Sequence, residues 1–276
     1  MMTTQESIDS LLLSAMEKAG EAEDHYRSEL KQHPTGRCPQ CGVPGVPTDP
    51  EATVTQSQRF RRLVIVGELC DECKAEDSAR DRLKRYGVER RNLHATFDGW
   101  QRSGSSDHWE RQDAAAQRAR DWCHDPESLL LYLGGRSGTG KGYLAAACVR
   151  EHGQSARWVD HAQLIDELHA ADFADKNDYL VTLKRCPLLV INEFGRKKST
   201  DTTREVLFGI FSYRYDQQLK TIVTSNFPFR AQHTAQGKKS ADFFEWFPER
   251  ETYDRFANVT DVIRLTWGSY RNQAQR

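Results

Sequence analysis

No stretch of this 276-residue sequence is apolar for long enough to cross a bilayer. Its first residues (MMTTQESIDS) also lack the basic and apolar regions of a signal peptide. A cytoplasmic protein with no membrane partner is the expectation. Strong charge of one sign is missing too. The net charge is −1 although 29% of residues are charged, so any polyanion-binding patch must be local. Nor is there an even set of cysteines. Seven argue against a full disulfide framework, and four of them stand in two C-x-x-C pairs, which points to metal. At this length, one domain of ordinary size plus a small module is expected.

Residues 1–33 read as an amphipathic helix. Thr3 and Glu6 have capping-box spacing, and Ile8, Leu11, Leu12, Ala15, Ala19, Ala22, Tyr26 and Leu30 recur at helical steps. The opposite face is acidic, with seven Asp/Glu against three Lys/Arg in this stretch. The apolar stripe must dock either on its own chain or on a partner. In residues 34–78, Cys38 and Cys41 are followed by Cys70 and Cys73, with 28 residues between the pairs. Two such turns brought together by strands make a tetrahedral S₄ site, the geometry of structural zinc. Residues 58–66 supply strand material, and residues 44–50 read as an inserted loop. Redox pairs are disfavoured because no thioredoxin-like βαβ pattern surrounds them. Four cysteine ligands leave no coordination position for chemistry, so the Zn²⁺ of this ribbon-like module is expected to be structural.

Residues 79–276 form the larger region. Its lead-in, residues 80–91, carries six Lys/Arg against two Asp/Glu. It reads as a linker helix with a solvated face or as a contact for nucleic-acid phosphates through Arg82, Arg85 and Arg91. Arg59, Arg61 and Arg62 could extend that patch. The region is organised around residues 129–142. Five apolar residues have the length of a buried strand, then come glycines, then a segment of helical composition. Gly135, Ser137, Gly138, Thr139, Gly140 and Lys141 fall in the G-x-x-x-x-G-K pattern, whose backbone N–H groups and lysine cradle phosphates. At the next position, where a Ser or Thr hydroxyl ligates Mg²⁺, stands Gly142. Beyond it the pattern alternates: strand 156–160, helices 162–169 and 177–184, strand 187–193, helix 203–215, strand 221–226. This predicts an α/β domain with a parallel sheet covered by helices on both faces. The site then lies at the strands' carboxyl ends, beside Glu193 and Asn226. Cys123, Cys148 and Cys186 are expected as buried small hydrophobes.

These motifs resemble the DnaC/IstB-type AAA+ ATPases, whose best-known members load the replicative DNA helicase. The likeness covers roughly residues 86–271. Residues 92–97 resemble the family's lead-in, residues 138–141 its Walker A and residues 188–193 its Walker B. Residues 205–215 and 224–226 are similar to its following helix and sensor 1. Glu249, Arg250, Asp254 and Arg255 resemble the element carrying its arginine finger, and residues 268–271 its closing motif. The resemblance implies ATP as ligand, with Glu193 polarising the attacking water and Asn226 holding that water or the γ-phosphate. It also implies Arg255 reaching a neighbouring subunit's phosphates in a self-assembly, and Arg271 contacting phosphate in cis.

The departures carry as much information. The Walker B aspartate, which holds Mg²⁺ through its water shell, is here Asn192. Together with Gly142 this predicts ATP binding with slow hydrolysis and a weakened Mg²⁺ site, and it predicts that Gly142→Thr with Asn192→Asp raises turnover. A loader acting on a replicative DNA helicase and single-stranded DNA is the favoured function. The alternatives are a transposition helper ATPase and a non-hydrolysing, nucleotide-gated adaptor.

Overall fold

The computed structural model describes residues 71–170, 173–197, 200–231, 242–247 and 255–270, and the backbone of four short strands ahead of them. The chain divides into two compact units, Met1–Ala79 and Arg80–Arg276.

In the first unit, β1 (Thr35–Arg37) pairs antiparallel with β2 (Pro44–Pro47), and β3 (Thr55–Ser57) with β4 (Arg62–Val64). Residues 44–50 therefore contain a strand where the sequence suggested an inserted loop. The prolines obscured it, yet a two-stranded ribbon consists only of edge strands, where proline is tolerated. The helix expected over residues 1–33 lies outside the described residues, as do Cys38, Cys41 and Cys70. Cys73 is described: it is buried in the first turn of α1 (Asp71–Tyr86). Asp71 and Glu72 in that turn complement the positive end of the helix dipole.

Arg80–Arg276 opens with the last turns of α1, so the basic stretch is helical only as far as Tyr86. Gly87, at φ +92, ends the helix in the left-handed conformation, and Val88 N–H donates to Leu83 O at 3.0 Å. The lead-in then makes a 3₁₀ turn over Arg90–Asn92. There follow α2 (Trp109–His124), β5 (Leu130–Gly135), α3 (Lys141–His152), β6 (Ala156–Asp160), α4 (His161–Ala170) and α5 (Phe173–Arg185). The series continues with β7 (Leu188–Phe194), α6 (Asp201–Asp216), β8 (Lys220–Ser225) and β9 (Thr260–Leu265). Five strands make one parallel sheet in the order β6-β7-β8-β5-β9.

The apolar runs of the central strands alternate between two cores, as residues buried on both faces of a sheet must. Leu131, Leu133, Leu188 and Val190 join Ala119 and Trp122 of α2 and Ala145 and Cys148 of α3. Leu130, Tyr132, Leu189 and Ile191 face Leu164 and Leu168 of α4 and Leu207 and Phe211 of α6. Cys123 and Cys148 are buried, and Cys186 is half-buried. Strand β9 was not expected from the sequence. It buries Ile263 and Leu265, while Asp261 forms an ion pair with Arg118 of α2.

Candidate functional site

Beyond the carboxyl ends of β5, β7 and β8 lies a cleft of about 770 Å³. Its floor is the glycine loop between β5 and α3. Gly138 and Gly140 have φ of +81 and +97, and a Cβ on either would run into Ser269 or Trp100, at 2.0 and 2.7 Å. Only glycine lets the loop turn this tightly beneath its neighbours. The segment after β9 seals the loop from outside: Tyr270 N–H donates to Gly138 O at 2.9 Å, and Trp267 Nε1 to Thr139 O at 3.0 Å.

Lys141 opens α3 and is almost wholly buried (8% exposed). Its ammonium donates to Gly135 O (2.7 Å), Arg136 O (2.8 Å) and Asn226 Oδ1 (2.9 Å). Asn226 follows directly on β8, so one side chain ties the loop to the neighbouring strand and fixes a full positive charge where phosphates would lie.

The end of β7 is irregular. Its pairing with β8 shifts between Ile191 and Phe194, and Glu193 has φ +52. A left-handed glutamate costs on the order of 1–2 kcal/mol, and the hydrogen bonds around it hold it there. Glu193 N–H donates to Thr224 Oγ1 at 3.0 Å, and the Thr224 hydroxyl donates onward to Asn192 Oδ1 at 2.7 Å. The kink delivers the Glu193 carboxylate to the cleft, where it meets the Arg196 guanidinium and lies 3.9 Å from Arg91. Asn192 itself is buried, and its Nδ2 donates to Glu89 Oε1 at 3.2 Å. Glu89 belongs to the lead-in. Its other oxygen accepts from Arg91 Nε (2.6 Å) and Asn92 Nδ2 (3.2 Å).

Part of the cleft's lining is aromatic. The Trp100 ring centroid lies 5.6 Å from that of Tyr143 and 5.5 Å from that of Tyr270, and His94 meets Tyr143 edge-on at 5.8 Å. Such a wall suits a flat, weakly polar group attached to phosphates.

The structure thus brings Ser137, Gly138, Gly140, Lys141, Gly142, Asn192, Glu193 and Asn226 to one cleft. Gly135 and Thr139 belong to the loop beneath it. Arg255 is exposed at the start of a short helical turn and does not line the cleft. Arg271 lies outside the described residues, immediately after Tyr270. Among the described residues no group of three or more His, Cys, Asp or Glu side chains is placed to hold a metal. Glu89, Thr224 and Trp100 were not singled out in the sequence, although Thr224 falls in the sensor 1 resemblance, Glu89 in the basic lead-in and Trp100 just after the resembling residues 92–97.

A family model described as IstB-like ATP binding protein matches residues 48–276. No curated protein sequence matches the chain. Among solved structures, the crystal structure of DnaI is similar at 23% identity, over 66% of this chain and 93% of that one, with a TM-score of 0.50. The DnaC helicase loader follows at 22% identity, 64% and 99% coverage and a TM-score of 0.46. A putative primosome component from Streptococcus pyogenes serotype M3 has 21% identity, 66% and 91% coverage and a TM-score of 0.46. At these identities the likeness is one of fold. The family match, by contrast, takes in the glycine loop, both polar strand ends and the segment that seals them, and so the chain belongs to the IstB-like ATP-binding proteins, with an AAA+ P-loop fold.

Proposed function

We propose that this protein is a helicase loader of DNA replication that binds ATP in the β5–β7–β8 cleft and hydrolyses it slowly. The observation that carries the nucleotide part is the convergence of the Lys141–Asn226 pair and the kinked Glu193 on one side of the glycine loop. The loop's backbone and Lys141 would hold the phosphates, and the aromatic wall the base. Glu193 would orient a water towards the terminal phosphate. Arg255, exposed and away from its own cleft, suits action on the nucleotide of a neighbouring copy. Arg271 would contact phosphate in cis.

Mg²⁺ bound with the nucleotide would neutralise charge developing on the transferred group. In such sites the ion takes most of its ligands from phosphates and water. Residue 142 supplies no oxygen, and Asn192 Oδ1 already accepts from Thr224. Glu193 is the carboxylate among the cleft's lining residues and it meets Arg196, so the residues present fit an ion held by phosphates and water rather than one bound directly by a protein hydroxyl.

Loading is favoured over help to a transposase by the region ahead of the ATPase unit. The acidic-faced helical pattern and the four cysteines are additions that a simpler transposition helper would lack. The experiment is a pull-down with the purified chain against a hexameric replicative helicase and against a transposase, with ATP turnover followed with and without single-stranded DNA. Capture of the helicase with DNA-stimulated turnover is the expected result. Capture of the transposase alone sinks the loader reading. Helicase capture gated by ATP without turnover makes the protein an adaptor.

A further inference from the structure

The altered strand end and the lead-in meet in one hydrogen-bonded chain whose donors leave little freedom. Glu193 N–H occupies a lone pair of Thr224 Oγ1, so the Thr224 hydroxyl hydrogen is free to donate to Asn192 Oδ1. That leaves Asn192 Nδ2 facing Glu89 Oε1 at 3.2 Å. An amide at 192 satisfies both neighbours at once. An aspartate would satisfy Thr224 and set a second carboxylate against Glu89, a like-charge contact in a half-buried place. Position 142 is built into the same arrangement. A Cβ there would lie 3.0 Å from Asn92 Nδ2, the group that also holds Glu89 Oε2. Gly142 makes room for Asn92, Asn92 and Arg91 hold Glu89, and Glu89 holds Asn192.

We infer that Glu89 of the lead-in takes over the ordering of the altered end of β7. Glu89, its charge shared with Arg91, is then a positioning residue of the nucleotide site: it fixes the Asn192 amide that stands where an aspartate would face the cation's water shell. The inference rests on nucleotide binding in this cleft. Gly142 and Asn192 are not two separate losses but the two positions that must change when the lead-in orders this strand end. Restoring them alone therefore damages the site, contrary to what the sequence by itself suggests. Asn192→Asp creates the carboxylate pair, and Gly142→Thr pushes on Asn92.

The test uses the full-length chain, a fluorescent ATP analogue and thermal unfolding, each with Mg²⁺ or with EDTA. In Glu89→Gln the gain in affinity from Mg²⁺ over EDTA should fall roughly 10-fold or more, the usual scale for losing an outer-shell group. Asn192→Asp should bind the Mg²⁺ complex no better than the parent. Without nucleotide it should unfold about 2–4 °C lower, as a loss of a single charge-pair's worth of stability implies. The double variant Glu89→Gln with Asn192→Asp should recover both the Mg²⁺ response and the unfolding temperature. An Asn192→Asp protein that binds the Mg²⁺ complex more tightly than the parent overturns the inference, as does a Glu89→Gln protein with an unchanged Mg²⁺ response. A parent that binds no analogue in either condition overturns the nucleotide reading itself. The unfolding temperatures then judge the Glu89–Asn192 pairing independently.

Discussion

His161 shows how much one buried side chain can impose on the rest. It has no exposed surface, and its ring lies 4.6 Å from that of Phe194, beside the kinked Glu193. Burial lowers its pKa to about 4 from the ordinary 6.5. The unfolded chain takes up this proton below pH 6.5 and the folded chain only near pH 4. The stabilising contribution is therefore whole above pH 6.5 and is lost as pH falls through that window. Urea titrations should show about 2 kcal/mol less stability at pH 5 than at pH 7 from this group, and His161→Leu should remove that part of the pH dependence. Gly142 carries a second residue-scale expectation. Gly142→Thr should cost about 1–2 kcal/mol by overpacking, read as a lower urea midpoint. Adding Asn92→Ala should return most of it, because the 3.0 Å approach is to that side chain.

Among the elements, α6 adds a buried polar clamp to its apolar packing. Arg214, 1% exposed, donates from Nε to Thr221 Oγ1 at 2.8 Å. One of its terminal nitrogens donates to the carbonyls of Leu183 (3.0 Å), Lys184 (3.2 Å) and Cys186 (2.7 Å). Those oxygens include the last turn of α5, which has no further turn of its own to bond. Arg214→Met fills similar space but leaves buried carbonyls unmet, so a loss of about 3 kcal/mol is expected in chemical denaturation. The clamp could not be read in advance, because nothing in the sequence distinguishes Arg214 from a solvated arginine. The central strands could. β5, β7 and β8 are short apolar runs bounded by polar residues, and burial on both faces demands that pattern. β9 escaped because Asp261 and Arg264 interrupt it and only Ile263 and Leu265 carry the burial. Gly142 and Asn192 stood out as departures from a linear motif, whereas their partner Glu89 lies 103 positions from Asn192 and is placed by folding alone.

At the scale of the whole molecule the expectations concern partners. Arg82 and Arg85 are exposed on α1, and Arg91, also exposed, pairs with Glu89 at the edge of the cleft. If α1 contacts single-stranded DNA, Arg82→Ala with Arg85→Ala should weaken binding and flatten its salt dependence, by about 0.7 in log–log slope for each lost phosphate contact. Unchanged affinity would move the surface to Arg196, Lys197 and Lys198. Arg255→Ala subunits should bind nucleotide normally and poison mixed assemblies beyond simple dilution of turnover. The four-cysteine proposal stands on spacing: the purified chain should carry one zinc, lost in Cys70→Ser, as elemental analysis would show. The place of β9 has a further consequence, one of timing. β5 lies between β8 and β9, and the glycine loop is sealed by Trp267 and Tyr270. A ribosome that has translated as far as residue 259 has made every other strand of the sheet, yet β5 still shows a bare edge and the loop has no cover. The nascent protein is then at its most adhesive, a natural client for a chaperone. Closing of the sheet's β5 edge, and of the cover over the glycine loop, therefore waits for the last strand to be made.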